Sequence, residues 1–344
     1  MPRIQDAQPE PMVSEFHLPL RSTQHPLGFP VELATNSADI VAAAHDVWGS
    51  FKQSFFEKPV QLNVAVFQRH REHRLRVPSI GWRGHLLTIV GGQSNFACCD
   101  MHQGFGFACL TSATASDHSY SRYHFLESMA YTMLQSLYLT PIHAACVALN
   151  GRGILLCGDS KAGKSSLAYA CASRGWTHVS DNASYLVRSA NENVAIGNPY
   201  RIRLRASASQ LFPELCAHPI TLRAQGERSI EVETANRTDL ITAQHSAVDH
   251  VIFLDRQPVG SPKLSPFPKE RALRWFENLL CLGDSNVRAA QKASLHRLLR
   301  ADVLQFRYSQ LDPAVTALKE LVALRFLPVR HNHDGSSIAE PENA

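Results

Sequence analysis

Nowhere in the 344 residues do about 18 uncharged apolar residues run together, so no membrane-spanning helix is expected. The opening stretch MPRIQDAQPEPMVSEFHLPL lacks an apolar segment behind a basic start, which argues against export. Charge of one sign is also scarce. Lys and Arg number 34 against 30 Asp and Glu, a formal charge of +4 with no strong cluster, and no nucleic-acid partner is expected. The eight cysteines, at 98, 99, 109, 146, 157, 171, 216 and 281, form no CxxC pair, and the chain is not short. The pattern argues against a disulfide framework, and reduced, mostly buried thiols in a cytoplasmic protein are expected. There is no internal repeat and no low-complexity linker.

What is present falls into two textures. Residues 1–14 and 331–344 are polar and aperiodic, and are expected to be disordered ends. Residues 15–135 read as an α+β region. ATNSADIVAAAHDVWG predicts a helix capped by Asn36 or Ser37, with Ile40, Ala43, Ala44 and Val47 on one face and Gly49 at its end. QLNVAVF (61–67) and HLLTIV (85–90) predict strands on either side of the basic stretch QRHREHRLR. FLESMAYTMLQSLYL (125–139) predicts a helix whose Leu126, Met129, Met133, Leu134 and Leu137 pack into a core.

Residues 140–330 alternate strand and helix. HAACVAL (143–149) and ILLCG (154–158) are apolar runs joined through NGRG, which predicts a hairpin. A helix over about 164–174, stopped by Gly175, and a short strand THVSD (177–181) complete a strand, glycine loop, helix, strand series: the βαβ pattern of a nucleotide-binding α/β core. VIFLD (251–255) predicts one more buried strand. Asp312-Pro313 starts a closing helix with Val315, Leu318, Leu321 and Val322 inward.

The glycine loop carries the chemistry. Gly158, Asp159, Ser160, Lys161, Ala162, Gly163, Lys164 and Ser165 satisfy G-x-x-x-x-G-K-[ST] at every fixed position, between an apolar strand and an amphipathic helix. A polyphosphate wrapped by backbone N–H groups needs glycines where a Cβ would collide or φ is positive. The helix that follows, starting with Ser165 and Ser166, aims its unpaired amides at the same phosphates. Lys164 supplies charge at the β- and γ-phosphates and Ser165 a hydroxyl for Mg²⁺. Lys161 within the loop either adds positive charge near the phosphates or points to solvent, and solvent is preferred for so long a charged side chain. Asp181 ends the strand after the loop, where ligands of parallel sheets sit, and is suited to take a hydroxyl proton or to organise Mg²⁺. His143 opens the strand before the loop. In RIRLR, Arg201, Arg203 and Arg205 share one strand face. Arg203 and Arg205 either clamp a phosphate or an acidic substrate group, or form a solvated face. Arg228 is a weaker candidate of the same kind. Asp255, at the end of VIFLD, competes with Asp181 for the metal, and Asp181 is preferred.

PIHAACVALNGRGILLCGDSKAGKSSLAYACASRGWTHVSDNASYL resembles the catalytic core of the HPr kinase/phosphorylase family. The likeness rests on His143 before the loop, the G-D-S-x-x-G-K-S loop itself, Arg174-Gly175 ending the helix, and Asp181-Asn182 where the family has two aspartates. It covers about 45 residues. The resemblance implies an α/β fold, a P-loop HPr-kinase/PEP-carboxykinase-like core behind the N-terminal α+β region. It also implies an enzyme that uses ATP and Mg²⁺ to phosphorylate a serine or other hydroxyl of a protein or peptide acceptor, with Asp181, His143 and Lys164 catalytic, and it implies a homo-oligomer. Asn182 departs from the pattern, because an amide is neither a base nor a counter-charge for Mg²⁺. The family's downstream phosphorolysis motif is not found. A nucleotide-binding regulatory module without transfer activity, or a simple ATPase, is the alternative.

Overall fold

The computed structural model describes residues 17–68, 77–222, 228–235, 237–280 and 284–324. The two polar ends, most of QRHREHRLR, Cys281 and part of AQGERS lie outside them. The chain is a mixed α/β protein.

A first sheet is built from β1 (Leu20–Gln24), β2 (Val31–Thr35), β3 (Val60–Phe67), β4 (Ser79–Arg83), β5 (Leu86–Gly91), β6 (Asn95–Asp100) and β7 (Phe105–Thr111), in the order β1-β2-β3-β7-β6-β5-β4. Helix α1 (Ala38–Trp48) carries the chain from β2 to its parallel neighbour β3, with Ile40, Ala43, Ala44, Val47 and Trp48 buried at helical spacing. Ser37 stands at the N-cap position, but its side chain caps nothing; its N–H instead donates to Thr35 Oγ1 at 3.2 Å. Two short helices, α2 (Ser112–Ser116) and α3 (His118–Ser121), then lead through a π-helical segment, Arg122–Glu127, into α4 (Ser128–Leu137). The single helix expected over 125–139 is thus partly π-helical at its start and gives way to a strand at its end. Met129, Met133 and Leu134 are buried in the core under the first sheet.

The second sheet begins with β8 (Leu139–Ile142), β9 (Ala144–Leu149) and β10 (Arg152–Cys157). Asn150 and Gly151, at φ 52° and 77°, turn β9 into β10, the paired positive φ values that a two-residue type I′ hairpin requires. Beyond the glycine loop come α5 (Lys164–Ala172), β11 (Thr177–Ser180), β12 (Ser184–Val187) and β13 (Val194–Gly197). A small antiparallel sheet follows, of β14 (Arg201–Arg205), β15 (Ile220–Leu222) and β16 (Arg228–Glu233), with β16 in the middle. The chain then returns to the second sheet with β17 (Ile241–Thr242), the twelve-residue β18 (His245–Arg256) and β19 (Lys263–Pro266), adds α6 (Lys269–Glu277) and α7 (Ser285–Leu298), and closes with β20 (Asp302–Tyr308) and α8 (Leu311–Leu324). Strand order is β17-β11-β9-β10-β18-β13-β12-β8, with β20 beside β18 and β19 beside β20.

The βαβ expectation needs correction here. β10 and β11 are not neighbours: β9 lies between them, antiparallel to both. The type I′ turn pairs β9 with β10 first, so β11 can reach only the outer edge of β9. Even so, β10, β11, β18 and β20 all run in one direction, and their carboxyl ends share one edge of the sheet.

Both faces of this sheet are covered. Val147, Ile154, Leu156, Ile252, Leu254 and Phe306 pack with Leu167 and Ala168 of α5 and with Val315 and Leu318 of α8. Cys146, Leu155, Cys157, Val251 and Phe253 pack on the opposite side with Phe276 of α6 and with Leu295 and Leu298 of α7. Strands buried on both faces read as continuous apolar runs, which is why VIFL and ILLC show no alternation. Truncating a wholly buried member such as Leu156 to alanine would cost about 2–5 kcal/mol.

The seven described cysteines are free thiols, five of them buried. Burial pushes Cys99, Cys146 and Cys171 up to about 12, so they are inert apolar filling. Among the described residues no helix is long and apolar enough to cross a membrane.

Candidate functional site

The glycine loop runs from the end of β10 to the start of α5, at the edge where the parallel strands end. Its glycines are required by geometry. Gly158, at φ 145°, has no room for a side chain: a Cβ would stand 2.9 Å from Ala162 Cβ. Gly163, at φ 95°, is the N-cap of α5, and a Cβ there would stand 2.6 Å from Tyr308 Oη. Between them the loop closes on itself through Ala162 N–H donating to Asp159 O at 3.1 Å. Lys161 takes the left-handed conformation at φ 73° and is exposed, pointing to solvent as its length and charge suggested.

Lys164 does the opposite. It is 6 % exposed, and its Nζ donates to Gly158 O at 2.7 Å and to Asp159 O at 3.1 Å, so the ammonium lies against the inside of the loop. Burial holds its pKa below the ordinary lysine value. No side chain caps the start of α5, and no acidic residue occupies its first turn, where Ser165 and Ser166 are half-buried. The helix therefore turns uncapped amides and one lysine charge toward the same place.

Asp181 follows β11 directly and meets the loop. Ser165 Oγ donates to the Asp181 carbonyl at 3.1 Å, while Asp181 Oδ2 accepts the backbone N–H of Arg203 at 2.7 Å. Two residues 16 apart in sequence are thus joined at the end of the sheet. His143 occupies the one-residue break between β8 and β9. Because β9 is antiparallel to β10, with Ala144 opposite Cys157, the start of β9 arrives beside the end of β10, and His143 comes to the loop. Burial, reinforced by the Lys164 charge and opposed by Asp159, lowers the His143 pKa. Its imidazole is accordingly neutral near pH 7 and able to accept a proton.

Strand β14 lies over this edge. Ile202 and Leu204 are buried and the three arginines alternate outward, the period-two pattern read from RIRLR. Arg205 Nη2 donates to Ser160 Oγ of the loop at 3.1 Å. Arg203 pairs through Nε with Glu231 Oε1 at 3.0 Å. Arg201 Nη2 reaches Asp46 O at 3.3 Å, tying β14 to the end of α1. Glu127, in the π-helical segment, is raised by burial against the pull of Arg122, Arg203 and Arg201. Charged groups of the first region thus stand close behind the strand that holds Asp181. Arg228 is exposed at the start of β16, opposite Leu222. Asp255 accepts from Gln257 at 2.6 Å, Gln305 at 2.9 Å and Arg307 Nε at 3.0 Å, so its carboxylate is already neutralised on the β18–β20 pair.

Two neighbours of the loop carried no sequence signal. Trp275 of α6 donates from Nε1 to Asp159 Oδ1 at 3.2 Å, across 116 positions of chain. Tyr308 of β20 sets its buried Oη against Gly163. Both depend on helix and strand order, which no local pattern encodes. Among the described residues, no cluster of three or more His, Cys, Asp or Glu forms a ready metal site.

No family model matches the chain, and no curated protein sequence matches it. A solved structure described as the Hpr(Ser) kinase/phosphatase from Coxiella burnetii is similar at 14% identity with a TM-score of 0.30, over 54% of this chain and 96% of that one.

Proposed function

We propose that this chain is a Mg²⁺- and ATP-dependent kinase with a P-loop core of the HPr-kinase type, transferring the γ-phosphate to a serine or other hydroxyl of a protein or peptide. The observation that carries the reading is the junction of loop and strand end. Lys164 lies inside a glycine loop that tolerates no Cβ at Gly158 or Gly163, and Ser165 bonds directly to Asp181.

The residues fit a nucleotide and its metal. Two positions closed to side chains leave the loop backbone as its inner surface, and the uncapped start of α5 with the Lys164 ammonium supplies positive potential for phosphate oxygens. Mg²⁺ prefers oxygen ligands, keeps several waters and shares phosphate oxygens. The Ser165 hydroxyl at the loop is one such protein oxygen, and the carboxylate of Asp181, whose backbone carbonyl accepts from that hydroxyl, is a second candidate. When bound, the ion would neutralise charge on the phosphates.

In the proposed reaction Asp181 accepts the proton of the acceptor hydroxyl as its oxygen bonds to the γ-phosphorus. The bond between that phosphorus and the bridging oxygen breaks, and ADP leaves with the electron pair. The Arg203 N–H holds the Asp181 carboxylate through Oδ2. Lys164 and Arg205 hold phosphate oxygens, and neutral His143 beside them accepts or relays a proton. Asn182 can hydrogen-bond the acceptor but adds no second charge.

Transfer of label from γ-labelled ATP into protein or peptide of a cell extract tests the reading, with Asp181→Asn as the control. The expected result is a labelled acceptor with the wild-type chain and at least a ~100-fold slower transfer by the variant, which still binds ATP. Phosphate release without a labelled acceptor would make the chain an ATPase. ATP binding with neither outcome would make it a nucleotide-binding regulatory module.

A further inference from the structure

The loop accounts for phosphates, and nothing above accounts for the base at the other end of a nucleotide. Resting on the phosphate-loop reading, a base would lie within one nucleotide's length of the loop. Two aromatic side chains meet the loop among those described. Tyr308 is 1 % exposed and offers no face for stacking. Trp275 is half-buried, and its indole is pinned to the loop by the 3.2 Å hydrogen bond from Nε1 to Asp159 Oδ1.

The surroundings hold that ring rigidly. Phe253 meets it edge-on with centroids 5.4 Å apart, and Phe276 does the same at 5.1 Å. Phe267 stacks on Phe253 at 4.2 Å and is covered on its own account by the Arg271 guanidinium, 5.3 Å from its centroid. An aromatic wedge with a cationic flank therefore stands beside the loop, on the α6 side of the sheet. Rigid, partly exposed aromatics with an adjacent guanidinium are what a nucleobase uses for stacking without strict base selection.

We infer that Trp275 is the base platform of this site: the heterocycle of the nucleotide whose phosphates occupy the glycine loop stacks on its indole, with Arg271 at the flank. Purines, with the larger π-face, bind better than pyrimidines.

The test compares ATP with inorganic tripolyphosphate, which carries the phosphates and no base, by calorimetry on the full chain with Mg²⁺. Wild type binds ATP at least ~10-fold more tightly than tripolyphosphate. Trp275→Ala weakens ATP by about 5- to 100-fold, the range for loss of one base–aromatic stack, and leaves tripolyphosphate within twofold. Trp275→Phe keeps a ring and loses only the Nε1–H, so it retains most of the ATP affinity. Quenching of tryptophan fluorescence by ATP, absent in Trp275→Phe, gives a second readout, because Trp48 and Trp176 are buried and the exposed Trp82 lies on β4, the edge strand of the first sheet. Equal weakening of both ligands by Trp275→Ala, or equal loss with Phe and Ala, would make the residue a loop clamp acting through Asp159 and overturn the inference. So would wild-type affinity that ignores the base. If wild type binds neither ATP nor tripolyphosphate, the phosphate-loop reading itself fails and takes the platform with it.

Discussion

Gly163 and Tyr308 allow the geometry of the loop to be tested without any ligand. Alanine at 163 has two costs. The backbone there is at φ 95°, outside the range of L-residues, at about 1–2 kcal/mol, and the new Cβ would lie 2.6 Å from Tyr308 Oη, where overpacking by a methyl costs about 1–3 kcal/mol. Gly163→Ala should therefore destabilise by about 2–5 kcal/mol. Tyr308→Phe removes a buried hydroxyl that has no hydrogen-bond partner among the described residues, and by itself should be neutral or slightly stabilising. Together the two changes relieve the clash and keep only the φ penalty. The double variant should recover about 1–3 kcal/mol relative to the sum of the singles. Urea unfolding followed by far-UV circular dichroism reads this as midpoints at unchanged slope. Strict additivity would mean that Tyr308 does not press on Gly163, and the described packing of the loop would be wrong.

Three more outcomes follow from particular groups. His178 of β11 is wholly buried with neither ring nitrogen partnered among the described residues, and burial lowers its pKa from 6.5 to about 4. Above pH 6.5 both states are neutral; between 6.5 and about 4 only the unfolded chain takes the proton, so stability falls with acid. At about 1.4 kcal/mol per pH unit the loss reaches about 3 kcal/mol, and His178→Leu should flatten that part of the curve; parallel curves for the two proteins would contradict it. Arg205→Ala, which frees Ser160 of the loop, should weaken ATP binding about 10-fold, or roughly 1.4 kcal/mol, by calorimetry. Gly151→Ala puts a side chain on the positive φ of the hairpin between β9 and β10 and should lower stability by about 1 kcal/mol, seen as an earlier urea midpoint.

What was legible in the sequence was local. Asn150-Gly151 specified its turn because only a few residues accept two successive positive φ values. Gly158, Gly163 and Lys164 were legible because the loop closes within six residues, and Asp181 because a strand's end lies at a sheet's edge. RIRLR gave its alternation, though not that Arg205 would reach Ser160 while Arg203 turned to Glu231. The insertion of β9 between β10 and β11 had no local signature, since a hairpin and a crossover leave the same apolar runs behind. The π-helical start of the helix before β8 was hidden for a similar reason: its apolar spacing fits an α-helix as well. Trp275 and Tyr308 arrive from 116 and 145 positions beyond the loop residues they meet, and only the order of strands brings them there.

β18 has a consequence in time rather than in space. Its first residues pair with β13, and from Val248 onward it is flanked by β10 and then also by β20. The amides from His250 to Phe253 thus sit in a ladder hydrogen-bonded on both edges and covered on both faces. Hydrogen exchange there requires the sheet to come apart, so these amides should be among the last to exchange. The loop leaves β10, the parallel neighbour of that strand, and Trp275 packs on its Phe253, so both are anchored to the part of the sheet that opens last.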